Sequence, residues 1–142
     1  MAMRERAALL AVALWWGSLT SLGALFVPLL FKHLGSPAAA GGMAARLFEA
    51  QTWLSVGCAL LLMLAHNRAE DQALQAQGRR VLKWVVAGLL LALLVELAVA
   101  PRIVSARAMG ASLALWHGLG SAMFLGQWLC ATLVLWRMAR RP

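Results

Sequence analysis

The sequence predicts an all-α integral membrane protein, a four-helix bundle that runs up-down-up-down with both termini in the cytoplasm. Three observations carry this expectation. Hydrophobic residues make up 63% of the 142 and charged residues 13%, about half the charged share of a soluble domain. Four long apolar runs are separated by stretches rich in polar residues, glycine or proline. The lysines and arginines fall mostly on one side of those runs.

The first helix is expected over about residues 7–32, behind Arg4 and Arg6. A secretory signal has a much shorter apolar region, so the run reads as a span and not as a leader cleaved near Ala38-Ala39-Ala40. Ala13, Gly17 and Ser21 recur every fourth residue, the small-xxx-small spacing of close-packed membrane helices. Pro28 lies one turn from the end, where a lost backbone bond is cheapest. Gly35, Ser36, Pro37, Gly41 and Gly42 read as the connection.

The second helix is expected over about 43–65, opening on a polar turn with Arg46, Glu49, Gln51 and Thr52. Arg46 and Glu49 are three apart and can pair. Asn67 to Arg80 is polar and reads as a water-exposed loop, with a short surface helix from Ala69 to Gln77 stopped by Gly78.

The third helix, about 81–104, carries one carboxylate, Glu96, followed by Pro101 and Arg102. An ionisable group at membrane depth is costly and marks a candidate functional site. The fourth helix, about 111–137, follows a brief connection around Ser105 to Gly110. In it Gly110, Ala114, Gly118, Ala122, Gly126 and Cys130 form one ridge at four-residue spacing. Gly17, Ser21, Gly118, Ala122 and Gly126 are therefore the expected helix-packing positions.

Nine lysines and arginines lie at the N-terminus, the second connection and the C-terminus, against four on the other side. The positive-inside rule then places both termini in the cytoplasm, of a bacterial inner membrane. Trp84 and Trp136 fall at the inner interface and Trp116 toward the outer one. The net charge of +8 punctuates apolar runs, so it signals topology and contact with anionic lipid headgroups on the cytoplasmic side, not nucleic acid.

With that orientation, counting 1.5 Å per residue brings Glu96, His117, Glu49, Arg46 and Arg102 to one layer near the outer face. Glu96 and His117 sit at similar depth on neighbouring helices and are expected to share a pocket. That contact is either a structural polar bridge or a proton- or cation-binding site. Two cysteines inside spans read as free buried thiols. The seven methionines do not cluster and only His117 lies clearly at depth, so no metal set and no cofactor is expected. No nucleophile–base pair is visible, and the chain reads as a single non-enzymatic domain. It is expected to pack against another membrane protein or a second copy of itself. The alternative is a binder or transporter of protons, metal ions or small solutes through the Glu96/His117 layer.

The segments VPLLFKHL, AARLFEAQ, ELAVAPRI and LWHGLGSAMFL, one per helix end, resemble those of the transmembrane-protein-205-like domain of unknown function. Pro28, Phe31, Phe48, Glu49, Pro101 and His117 carry the resemblance. It implies four membrane spans over nearly the whole chain, with no established biochemical activity. Because one member is linked to platinum-drug resistance, it also keeps metal or drug export open.

Overall fold

The computed structural model describes residues 3–67, 72–110 and 112–140. They form four helices long and apolar enough to cross a membrane: α1 (Met3–His33), α2 (Pro37–Asn67), α3 (residues 72–109) and α4 (Leu113–Ala139). Each helix packs against its neighbours in sequence, and α1 closes the ring against α4. Ala8 and Met138 share one core, at what is called here the terminal end. The α1–α2 and α3–α4 connections lie at the distal end.

The helices run longer than the apolar runs, for local reasons. Ser36 and Pro37, read from sequence as a connection, start α2. The Ser36 hydroxyl accepts from the Ala39 N–H at 3.1 Å, and proline occupies the first helical position, where its missing N–H costs nothing. Gly41 and Gly42 are therefore helical. Gly78 does not stop a surface helix, because α3 runs through it. Arg68 and the expected helical residues Ala69 to Asp71 lie outside the described residues, as does Ala111. The expected connection at Ser105 to Met109 is also helix. It ends at Gly110, whose φ of 67° is the left-handed conformation that glycine adopts without a Cβ penalty.

Two proline-bearing helices solve the same problem in the same way. Pro28 and Pro101 each lack an N–H for the carbonyl four residues back, and the ring crowds that carbonyl. Just ahead of each lies a five-residue π-helical turn, Leu22–Phe26 in α1 and Val95–Val99 in α3. The Val27 N–H donates to the Leu22 carbonyl and the Ala100 N–H to that of Val95. The wider turn absorbs the proline while keeping the helix continuous.

The core occupies the terminal half. Ala8, Val12, Trp15 and Leu19 of α1 meet Cys58, Ala59 and Leu62 of α2, Val81 and Val85 of α3, and Ala131 and Val134 of α4. Trp15 is fully buried and reaches across the bundle. A Cβ built on Gly88 of α3 would fall 2.6 Å from its ring tip. Beyond the π-turns the bundle parts into two pairs, α1 with α2 and α3 with α4. An edge-to-face contact of Phe48 with Phe124, centroids 5.3 Å apart, bridges them.

Candidate functional site

Aromatic–cation pairs mark both ends of the bundle. Arg102 lies over Trp116 at the distal end, 4.9 Å from the ring centre. At the terminal end Lys83 and Arg137 approach Trp84 at 5.2 and 5.6 Å, and Arg140 approaches Trp136 at 4.6 Å. The helix rise puts about 28 Å between Lys83 and Arg102 and about 30 Å between Trp116 and Trp136. Both match a hydrocarbon core of about 30 Å, with indoles and cations where the membrane interface wants them.

Gln127 is about 16 Å along α4 from Trp116, close to the midplane. Around it lies a cluster of polar side chains drawn from three helices. The Ser55 hydroxyl donates to Gln127 Oε1 at 2.8 Å, and the Trp15 indole N–H donates to the same oxygen at 3.4 Å. The Gln51 amide donates to Ser18 Oγ at 3.0 Å and to Ser55 Oγ at 3.3 Å. The single Ser55 O–H is shared between Gln127 Oε1 and the Gln51 carbonyl of its own helix, and the Ser18 hydroxyl donates to the Trp15 carbonyl. Gln51, Ser55 and Gln127 are all buried. In hydrocarbon such groups are tolerated when they bond across helices, and here they do.

Beside this cluster α1 and α4 hold each other by a reciprocal pair. The Trp16 indole donates to Thr132 Oγ1 at 3.0 Å, and the Trp128 indole donates to Thr20 Oγ1 at 2.9 Å. Each threonine hydroxyl then donates to the carbonyl of the tryptophan one turn back on its own helix, both at 2.8 Å. The two helices are antiparallel, so one Trp-xxx-Thr motif on each makes a two-fold clasp.

The outer-layer residues named from sequence are differently disposed. Arg46 and Glu49 form the expected pair at 3.6 Å, largely exposed. Glu96 is half-buried within the π-turn of α3, and Glu49 is close enough to act on it electrostatically. His117 is exposed on α4, and among the described residues no hydrogen bond or ion pair joins it to Glu96. Arg102 is occupied by Trp116. The structure thus pairs Arg46 with Glu49 and leaves His117 exposed on α4. The buried histidine is His66, 8% exposed, which the sequence placed at a helix end.

The packing positions divide as well. Gly126 approaches Leu91 of α3, where a Cβ would come within 3.1 Å, and Cys130 is buried nearby. Around Gly17 and Gly118 a Cβ would meet nothing within 4 Å. Ala122 is exposed and Ser21 partly so. The α1 interface is made instead by Ala8, Ala11, Val12, Trp15 and Leu19. Cys58 and Cys130 are free thiols.

Residues 10–112 match the family model described as domain of unknown function DUF4149. The chain belongs to the DUF4149 family. No curated protein and no solved structure matches it. The DUF4149 match spans most of α1, from residue 10, and all of α2 and α3, and it ends just ahead of Leu113, where α4 begins. It therefore contains Trp15, Ser18, Gln51 and Ser55 but not Gln127, and one half of the clasp but not the other.

The sequence reading missed Ser18, Ser55 and Gln127. The signal was present: a lone amide within the fourth apolar run deserves the same suspicion as the lone carboxylate in the third.

Proposed function

We propose that this DUF4149 protein is a non-enzymatic, multi-pass component of a bacterial inner membrane that docks a further transmembrane helix. That helix comes from a partner protein or a second copy of the chain. One observation carries the reading. The small-residue stripe of α4 is used inside the chain at Gly126 and Cys130, while its continuation at Ala114, Gly118 and Ala122 is exposed, with open space over Gly118. Small residues let a second backbone approach closely. The polar midplane supports the same reading, because its side chains bond to one another and stiffen a frame. The motifs shared with the transmembrane-protein-205-like domain favour that branch of unknown function.

Substitution separates the two parts of the stripe. Gly118→Leu is expected to leave the thermal stability of the purified monomer unchanged while abolishing the oligomer or partner recovered from native membranes. Gly126→Leu is expected to lower stability by about 1–3 kcal/mol through overpacking against Leu91. Recovery of the same assembly with Gly118→Leu would end the docking reading.

The nine-to-four division of basic residues supports cytoplasmic termini. Reporter fusions after Gln75 and after the last residue should read cytoplasm, and fusions near Ala39 and Ala108 periplasm. A periplasmic signal at Gln75 reverses the orientation.

A second reading is a proton, metal-ion or small-solute binder or transporter. It is favoured by the Glu96 carboxylate within the π-turn of α3, a helix distortion common at functional sites. In proteoliposomes Glu96→Gln should then abolish ion-dependent flux without loss of folding. Flux equal to wild type removes that reading.

A further inference from the structure

Two ends of the midplane cluster are left over. Gln127 Oε1 accepts from Ser55 and Trp15, but the two N–H donors on Gln127 Nε2 have no acceptor among the described residues. Gln51 Nε2 donates to Ser18 and Ser55, while Gln51 Oε1 accepts nothing among the same residues. The two side chains are only 3% and 7% exposed, and a buried polar group without a partner is costly. Both amides meet at the Ser55 hydroxyl, at 2.8 Å from Gln127 and 3.3 Å from Gln51. An amide nitrogen and oxygen are about 2.3 Å apart, so both unpaired ends lie within about 6 Å of Ser55 Oγ.

Neither end is sealed. Among the described residues, the unpartnered side-chain atoms with no accessible surface are His66 Nε2 and Trp84 Nε1, so a water-sized molecule reaches both amide ends. The approach is from the distal side. Toward the terminal end Val12, Trp15, Leu62, Val85 and Val134 are each 1% exposed or less, whereas the distal half is two helix pairs. Phe48 and Phe124 stand three residues ahead of Gln51 and Gln127, about 4.5 Å toward the distal end on the same helix faces. Their edge-to-face contact closes over the cluster, and both rings are only partly buried. Gly23 of α1 makes room for this lid, because a Cβ there would come 3.0 Å from the edge of the Phe124 ring.

We propose that Gln127 Nε2 and Gln51 Oε1 hold ordered water at the midplane, admitted past the Phe48–Phe124 pair. The cluster contains no titratable side chain, and an ion there would meet no countercharge, so the occupant is neutral. Water accepts from the Gln127 N–H and donates to Gln51 Oε1, and a few such partners are what a buried water needs. The site is separate from the α4 stripe and from Glu96, and it holds whether or not a helix docks.

Solution NMR of the full chain in detergent micelles, with nitrogen-15 on the glutamine side chains, tests this. Water-selective NOE spectra of the wild type should show a cross-peak from water to the Gln127 amide protons. Those protons should nevertheless exchange slowly into heavy water, because the lid must open first. Phe48→Ala removes one ring of the pair and should speed that exchange about tenfold, the factor that loss of an edge-to-face contact allows. Leu125→Ala, an exposed change beside Phe124, should leave the rate as it is. A wild-type cross-peak from detergent methylenes in place of water overturns the proposal, as does the absence of either. An exchange rate unchanged by Phe48→Ala, or raised as much by Leu125→Ala, overturns the route past the lid.

Discussion

Gln127 accepts two hydrogen bonds on one oxygen at the middle of the membrane, from Ser55 and from Trp15. Gln127→Leu removes both. The Ser55 hydroxyl keeps the Gln51 carbonyl at 2.9 Å, but the Trp15 indole, fully buried, keeps nothing. An unsatisfied buried donor costs about 1–3 kcal/mol, and the new leucine recovers part of it in contacts. Thermal unfolding in detergent should therefore show a loss of about 1 kcal/mol. Glycine gives a sharper contrast at this scale. Gly88→Ala places a Cβ against Trp15, which has no room to move, and should cost about 1–3 kcal/mol. Gly17→Ala meets open space and should be neutral or gain up to about 1 kcal/mol from helix propensity. Equal effects of the two substitutions in the same unfolding assay would contradict the packing around Trp15.

Elements show why some of this was legible in the sequence and some was not. The four helices were readable because twenty apolar residues in a row have few other uses. Their ends were not, because Ser36-Pro37, Gly41, Gly42 and Gly78 carry the composition of a loop. Only tertiary contact reveals Gly78 as the seat of His66, where a Cβ would fall 2.5 Å from His66 Cβ. Counting residues gives depth along a helix but not facing: His117, expected at the depth of Glu96, is exposed, and His66, read as a helix-end residue, is buried. The Trp-xxx-Thr motifs were visible twice in the sequence, at Trp16 and Trp128, but their pairing needs the antiparallel contact of α1 with α4. That clasp is testable. Thr20→Val and Thr132→Val should each cost about 0.6 kcal/mol, the usual size of a hydrogen bond between membrane helices, with a ceiling of roughly 1.7 kcal/mol. Unfolding of the two single variants and the double checks this, and a wild-type midpoint for both singles would show that the clasp contributes nothing.

At the scale of the whole molecule, the terminal half is a closed four-helix core and the distal half is two helix pairs. The change happens at the two π-turns, at similar depth in the parallel helices α1 and α3. Both halves sit between aromatic–cation belts whose spacing matches the bilayer, so the looser half is still membrane-embedded. Hydrogen exchange should accordingly be slow for the backbone around Val12 and Val134 and faster around Leu25 and Leu97. Local opening is easiest where few apolar side chains are buried. Equal protection of the two halves would show that the distal half is as tightly held.

The clasp also sets a timetable for biogenesis. Trp15, Trp16 and Thr20 leave the ribosome early, yet their partners Gln127, Thr132 and Trp128 lie 108–116 positions downstream. At about 5–20 residues per second, the nascent first span waits on the order of ten seconds with two indole N–H groups, those of Trp15 and Trp16, unmatched in hydrocarbon. Something in the insertion machinery must shelter it meanwhile. A chain truncated ahead of Leu113 would never end that wait and should be a preferred substrate for membrane proteolysis.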